Sequence, residues 1–366
     1  MKPEKTVLTY YDLCDLQYSS YFLIALAQNQ MRIGYNLEIA KRAPALVMDL
    51  PFDEHWRGFL RRLLLFRVST NDDDFYFCID PRDPYDPDAY GAAYHLPLLK
   101  TVRYYFKVNY HQASLHRSST IKPFLHKIQP VSPFLPLHPT NMFTHFPPIL
   151  NNPCGLWPLK RKLLRIRDLQ RLLNLSAMRQ LRSIEHDIDI FFAVMIRGDP
   201  VHREYNEFRY ELVRKLLECR RLNAIVGFVN SGHVQDKFRT FEIPRYKEPD
   251  YLRFQARARV SIYVRGLFDC FSFKFAQLLA LGKPVVGQPI HNQQETLNPP
   301  PNVGVQFAYE APDAIVAAAL ELLNSTEQRR HLSLANASYF DSHLDPRMAL
   351  DSMLASVFDV RANGFS

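Results

Sequence analysis

Glycine is scarce in this chain, at 12 of 366 residues, or about 3% where folded domains usually carry about 7%. Neither GxGxxG nor GxxxxGK(S/T) occurs, so a dinucleotide-binding enzyme and a P-loop NTPase both lose their main sequence support. The five cysteines, Cys14, Cys78, Cys154, Cys219 and Cys270, are odd in number and form no CxxC pair, which indicates neither a zinc site nor a disulfide framework. No HExxH or other close ligand spacing occurs among the 13 histidines, and the expectation is a protein without a resident metal or cofactor. No apolar run approaches the roughly 20 residues that span a bilayer. The opening Met1-Lys2-Pro3-Glu4-Lys5 enters a strand-like run without the charged, apolar, small-residue layout of a secretory signal. A cytoplasmic protein in a reducing compartment is expected.

What the chain does have is material for two cores. It is 47% hydrophobic and 22% charged, with 26 prolines and 13% aromatics. At roughly 100–200 residues per domain its length suggests two domains. Eight prolines fall within residues 130–158, a density that excludes regular helix or central strand and marks the candidate boundary. The first half alternates short strands and helices: Val7-Leu8-Thr9-Tyr10-Tyr11, a helix through Phe22 and Leu26, then strands over residues 33–39, 75–79 and 102–108. The second half is cleaner. Strands over 189–194, 224–229, 260–264 and 284–286 alternate with helices over 208–217, 251–257, 273–281 and 316–323. That βαβα succession predicts a parallel sheet with right-handed crossovers.

Charge is concentrated. Residues 158–182 hold Lys160, Arg161, Lys162, Arg165, Arg167, Arg171, Arg179 and Arg182 against Asp168 alone, a net +7 within a chain of net +8. Leu159, Leu163, Ile166, Leu169 and Leu173 recur at helical spacing, so the stretch reads as one basic amphipathic helix. It suits an anionic membrane surface, and less well nucleic acid, since no reader motif accompanies it. An interdomain helix with a solvated basic face serves equally.

The most informative segment is ARVSIYVRGLFDCFSFKFAQLLALGKPVVGQPI, residues 258–290. A buried strand delivers a polar loop containing Arg265 and Asp269, and a helix begins after Ser272. Its unpaired first-turn amides around Phe273 and Lys274 carry the positive end of the helix dipole and suit a phosphate. Arg265 and Lys274 add formal charge and Ser272 a hydroxyl. Gly282 closes the helix, and Pro284-Val285-Val286 start the next strand. In open α/β sheets ligands bind outside the carboxyl ends of strands, where this loop sits.

This segment resembles the nucleotide-sugar-binding signature of the GT-B glycosyltransferases, in the C-terminal domain of the group 1 and exostosin-like members. The resemblance rests on Asp269-Cys270-Phe271-Ser272, Gln277 and Ala280-Leu281-Gly282-Lys283-Pro284-Val285-Val286. It implies an α/β architecture of two Rossmann-like domains facing across a cleft. Residues 1–155 would form the acceptor side, 156–345 the nucleotide-sugar side, and 346–366 a helix returning to the N-terminal domain. It implies a nucleotide-sugar co-substrate, and a saccharide or lipid-linked acceptor with peripheral membrane contact. Many retaining members carry glutamates near the donor sugar and on the nucleotide ribose; Asp269 and Gln277 stand there in this chain. Gln277 can hydrogen-bond a ribose but cannot ionise.

Further candidates follow from the places that the resemblance marks. Arg197 and Gly198, after the first strand of the second half, are candidate contacts to the donor phosphates. Tyr246 is a surface for the base. Arg209 and Arg214 read as solvated. Asp12 and Asp15, after the first strand of the chain, are candidate catalytic bases, with His111 as a further choice. Asp72-Asp73-Asp74 resembles a DxD metal site but precedes its strand and reads as a turn. Two other functions stay open: a non-catalytic binder of nucleotide sugars or glycans, and an adaptor using the basic stretch.

Overall fold

The computed structural model describes residues 6–40, 44–48, 61–88, 93–139, 158–196, 198, 202–229, 236–270, 272–290, 305–306 and 311–358. The chain divides into two α/β units. Unit 1 comprises residues 1–174 with 343–366, and unit 2 essentially 175–291 with 298–342. The proline-rich stretch packs, over Val131, Phe134, Leu135 and Leu137, into the core of unit 1, and the division falls between Asn174 and Leu175.

Unit 1 opens with β1 (Thr6–Tyr11), α1 (Leu16–Ile33) and β2 (Tyr35–Ala40), with β2 parallel to β1. The helix runs to Ile33, further than the apolar pattern predicts, because Gly34 adopts a left-handed φ of 88° and its N–H closes on the Gln30 carbonyl. A hairpin follows, β3 (Leu64–Ser69) and β4 (Asp74–Asp80), then β5 (Tyr104–Lys107) and β6 (Ile128–Pro130). The sheet order is β2-β1-β3-β4-β5-β6. Only β3 runs against its neighbours, so this sheet is mixed. Aromatic residues stitch the reversed strand in place. Tyr10 meets Phe66 at 5.2 Å, Phe66 stacks on Phe77 at 4.9 Å, and Phe77 meets Phe106 edge-on at 5.9 Å. Each such pair adds about 0.5–1.5 kcal/mol beyond burial. Asp73 closes the β3–β4 turn and Asp74 opens β4, and they pair with Arg103 and Arg67. The run is a turn, at the strand end opposite to the carboxyl edge.

The last helix of the described chain, at Asp351–Phe358, belongs to unit 1. Tyr21 donates to the Leu344 carbonyl at 2.7 Å, Asn29 to the Arg347 carbonyl at 3.1 Å, and Arg32 pairs with Asp351.

Unit 2 is fully parallel. Its strands are β7 (Ile188–Met195), β8 (Ala224–Val229), β9 (Glu242–Ile243), β10 (Ala258–Tyr263), β11 (Val285–Gly287) and β12 (Val305–Gln306). The order is β12-β11-β10-β7-β8-β9. The chain lays three strands outward from β7, then returns to place β10 on its other side, which is the 3-2-1-4-5-6 order of doubly wound Rossmann sheets. β7 is apolar nearly throughout because both of its faces are covered. One face packs Ile190, Phe192 and Val194 against Leu212, Val213 and Leu216, and the other packs Phe191 and Ala193 against Tyr251 and Phe254. β11 lies so close to β10 that a Cβ at Gly287 would meet the Tyr263 carbonyl oxygen at 2.1 Å; only glycine fits there.

The basic stretch is not the single helix that its spacing predicts. It breaks into α2 (Pro158–Leu169) and α3 (Leu175–Gln180), in different units. The Leu173 carbonyl between them accepts the His138 N–H at 2.9 Å instead of an intrahelical one, a tertiary contact that periodicity cannot show. Its charge is also partly spent internally: Arg165 pairs with Asp12, and Arg179 and Arg182 both pair with Asp341.

Candidate functional site

The strand order puts a switch point between β7 and β10, and there the carboxyl-end loops diverge to leave a crevice. The helix after β7 is α4 (Arg203–Glu218). Its Glu204, Tyr205, Phe208 and Arg209 line a hollow of about 230 Å³ together with Val264 and Arg265 beyond β10 and Gln288 beyond β11. Arg209 donates to the Met195 carbonyl at 2.9 Å and to the Arg265 carbonyl at 3.3 Å, tying the end of β7 to the loop of β10. The Arg265 N–H donates to the Gln288 side-chain oxygen at 3.1 Å. Three strand ends are thus fixed around one small polar space.

The loop from Arg265 is short and tightly folded. Gly266 N–H bonds to the Cys270 carbonyl at 3.0 Å, and a Cβ at Gly266 would meet the Cys270 Sγ at 2.4 Å. Phe268 sits at φ 61°, ψ 32°, a left-handed conformation uncommon for a bulky residue. Such strain persists where the surroundings over-determine it, often at ligand sites. Asp269 ends the turn; its side chain lies outside the described residues.

After β9 comes α5 (Glu248–Arg257), and after the Arg265 loop comes α6 (Phe273–Ala280). Ser272 is the N-cap of α6: its Oγ accepts the Lys274 N–H at 3.3 Å, and its own N–H donates to the Tyr263 hydroxyl at 3.2 Å. Phe273 is exposed beside it. The helix ends as the sequence indicates, at Gly282 with φ 61°. Lys274 Nζ lies 3.4 Å from the Ala193 carbonyl and 5.0 Å from the centre of the Tyr251 ring. Gln277 is 3% exposed, and its Nε2 donates to Glu248 Oε1 at 2.9 Å. Tyr246 packs on Phe254 at 4.8 Å and on Phe191 at 6.1 Å, which leaves it half-buried.

Unit 2 therefore brings Arg265, Ser272, Lys274 and Gln277 to one edge of its sheet, with Tyr246 on the loop that enters α5. Gly198 is exposed in the loop after β7, while Arg197 lies outside the described residues. Sequence reasoning missed Glu204, Arg209, Glu248 and Gln288. Arg209 is not the solvated residue its position implied. Tyr205, Phe208 and Arg209 recur at i, i+3 and i+4 on the first helix after β7, a signal for one face aimed at the crevice. Arg214 does behave as a surface residue, paired with Glu211 and Glu218.

In unit 1 the two candidate acids differ sharply. Asp12 is 1% exposed and bonded to the equally buried Arg165, a structural ion pair. Asp15 stands at the N-terminus of α1, partly exposed, and takes Arg61 Nη2 at 3.0 Å. His111 caps a short helix at Gln112–Arg117, its Nδ1 accepting the Ser114 N–H at 3.3 Å. Among the described residues no group of three or more His, Cys, Asp and Glu is placed to hold a metal, and no described helix is long and apolar enough to cross a membrane.

No protein-family model matches the chain, and no curated protein matches it in sequence. Among solved structures it is similar to WaaG, a glycosyltransferase involved in lipopolysaccharide biosynthesis, with 10% identity over 71% of this chain and a TM-score of 0.40. The chain spans 63% of that structure's length. It is also similar to a glycosyltransferase from Rickettsia africae ESF-5, at 13% identity over 95% of this chain and 82% of that one, TM-score 0.42. A third is a protein designated a UDP-N-acetylglucosamine 2-epimerase from Listeria monocytogenes, at 15% identity over 72% and 76%, TM-score 0.34. At these scores the likeness is one of general layout, and the site is read from its own geometry.

Proposed function

We propose that the chain is a glycosyltransferase whose nucleotide-sugar donor binds at the carboxyl edge of the unit 2 sheet. The observation that carries this reading is the switch point between β7 and β10, where Arg209 and Arg265 line a polar hollow at the head of the loop that leads into α6. In the transfer, the bond from the anomeric carbon to the diphosphate breaks and a bond to an acceptor oxygen forms. The acceptor proton goes to a base, and the nucleoside diphosphate leaves with the negative charge. Donors already fixed in place stabilise that charge best. The Ser272 hydroxyl, Lys274 and Arg265 are such donors, while the Lys274 and Phe275 amides are already taken by the Ser272 cap, and Arg209 is held in position by two carbonyls. A saccharide or lipid-linked acceptor would complete the reaction. Of the two acids in unit 1, Asp15 keeps the solvent access that a general base requires.

A thermal-shift screen against UDP, GDP, ADP, CMP and their sugar conjugates tests the reading, because a ligand that binds only the folded state raises the melting temperature. One nucleotide class is expected to give a clear shift. Arg265→Ala and Lys274→Ala should each weaken it about 10- to 100-fold, the size of one charge-assisted hydrogen bond, with the unliganded melting temperature kept. Wild-type affinity in both variants would remove these residues from the site.

A further inference from the structure

Unit 1 carries a cluster of polar side chains that the proposed transfer does not use, in the loop that leaves β4. Residues 81–88 form no strand or helix, and Pro81, Pro84 and Pro87 bring no backbone donor, so side chains must fasten the loop. Asp86 does so with both oxygens. Its Oδ1 accepts the Asp88 N–H at 3.0 Å within the loop. Its Oδ2 reaches the short helix at Gln112–Arg117, where it accepts the Ser114 hydroxyl at 3.0 Å and Arg117 Nη2 at 3.1 Å. His111 stands at the head of that helix. Its Nδ1 lies 2.7 Å from the same Ser114 Oγ, and the Tyr85 ring meets it edge-on at 5.3 Å.

The serine hydroxyl is contested. It has one hydrogen, and while His111 is neutral and caps the helix, its Nδ1 and the Asp86 carboxylate are both acceptors. Nδ1 is the nearer, and it also accepts the Ser114 N–H at 3.3 Å. The carboxylate is then held to the helix by Arg117, whose side chain is 68% exposed and whose pull salt screens. A proton on Nδ1 ends the contest. Nδ1–H donates to Ser114 Oγ, and the hydroxyl hydrogen turns to Asp86 Oδ2. The cap is given up, and a charge-assisted chain from imidazolium to carboxylate replaces it. Of the charged groups nearby, Asp86 on the loop favours the added proton. Arg117 opposes it but is itself paired with Asp86. On the 3-10 turn that follows the helix, Lys127 is drawn to the Leu99 and Lys100 carbonyls, and Lys122 and His126 are exposed, as is His116 on the helix.

We propose that His111, Ser114 and Asp86 form a proton-operated latch, which fastens the 81–88 loop to the helix when His111 takes up a proton and slackens it when the proton leaves. Histidine is the side chain whose charge changes between about pH 5 and 8, so the loop tightens as pH falls through that interval. β4 and β5 run parallel to β1, which puts the loop at the carboxyl edge of the unit 1 sheet, with Asp12 and Asp15. Open α/β sheets take ligands at that edge, so the latch acts on a loop that borders it. It does not depend on the donor reading in unit 2.

The test is hydrogen exchange on the full chain at pH 8 and pH 5.5, each rate divided by that of the unstructured peptide at the same pH. In the wild type, protection of the Tyr85, Asp86 and Asp88 amides is expected to rise about 10-fold at the lower pH, the factor that one hydrogen bond to a charged group carries. His111→Asn keeps a good helix cap but takes up no proton, and Ser114→Ala removes the hydroxyl; in both the rise should fall below about twofold. Ring-nitrogen NMR of His111 in the wild type needs no variant, and should find Nδ1 bare at pH 8 and protonated at pH 5.5. Equal protection of the loop at the two pH values overturns the latch. So does a rise that survives in His111→Asn, or an Nδ1 that already holds its proton at pH 8.

Discussion

Asp80→Asn is expected to destabilise unit 1 by about 3–5 kcal/mol, the usual cost of leaving buried charge without its partner. Asp80 ends β4 with no exposure at all. Its Oδ1 accepts the Arg82 backbone N–H at 3.0 Å and Nε at 2.9 Å. Its Oδ2 accepts Arg82 Nη2 at 2.7 Å, the Tyr105 hydroxyl at 2.6 Å and Lys107 Nζ at 3.0 Å. One carboxylate therefore compensates two buried cations. Burial by itself would push this acid up; the Arg82 and Lys107 charges outweigh that and hold it well below the usual carboxylate range. Lys107, pushed down to about 8 by burial despite Asp80, shows how finely the cluster is balanced. An asparagine keeps the shape and one acceptor but leaves both cations uncompensated.

Two comparisons make the result specific. Lys107→Met in the same background should recover part of the loss, because one fewer cation is stranded, and the double-mutant cycle should return a coupling above about 1 kcal/mol. Asp74→Asn, in an ion pair whose side chains are 40% and 50% exposed, should cost less than about 1 kcal/mol. The acid side carries the same signature. A carboxylate whose folded value lies below its unfolded one contributes stability above about pH 4 and loses it as pH falls further. Urea unfolding at pH 7 and pH 3 should thus show the Asp80→Asn deficit shrinking at the lower pH. A deficit under 0.5 kcal/mol at pH 7, or one that ignores pH, contradicts the charge account.

What the sequence reveals about this protein is what short-range chemistry determines. The apolar strand read at 189–194, the N-cap at Ser272 and the left-handed Gly282 are each set by a few neighbouring residues; the strand runs one residue further at each end, and the other two are where the chain indicates. The partners that define the sites are distant in sequence. Asp12 meets Arg165 across 153 positions, and Gln277 meets Glu248 across 29. No spacing rule could show that the first residue is buried or that the second points away from water. Strand direction is likewise a tertiary outcome. The residues of β3 would fit a parallel strand as well, and what reverses it is the short turn at 70–73, closed by the Thr70 N–H on the Asp73 carbonyl at 2.8 Å. In the site, the start of α6 was legible because capping is local. The α4 wall was not, since Arg209 becomes a crevice residue only once β10 lies beside β7.

Lys283→Met is expected to do what few buried substitutions do, which is to change the sign of its effect with pH. Lys283 lies between Gly282 and Pro284 at the amino edge of the unit 2 sheet, 1% exposed. Its Nζ donates to the Ala256 carbonyl at 2.9 Å and lies 3.3 Å from His186 Nε2, and Asn336 holds its backbone carbonyl. Every charged group that bears on the pair is cationic. Burial first, then Lys283, Arg259 and Arg329, push His186 down to about 4. Arg182 passes over Gly282, and the Asp187 and Asp189 carboxylates are taken by Arg257 and Arg259. Among the described residues no carboxylate reaches the amine, and burial pushes it down to about 7. An unfolded lysine titrates near 10.4, so between these values the unfolded chain binds the extra proton. Stability then rises with pH from about 7 to 10.5 and is level below. At pH 7 the wild type carries a penalty of about 4 kcal/mol from this group, against which methionine forfeits two hydrogen bonds at about 1 kcal/mol each. The variant should therefore be the more stable protein at pH 7 by about 2 kcal/mol, and the less stable one at pH 10.5, where the penalty has vanished and the lost hydrogen bonds remain. Denaturant unfolding of both proteins at pH 6, 8 and 10, followed on unit 2, reads the difference directly. A gap of constant size and sign across that range would mean that Lys283 keeps its proton in the fold.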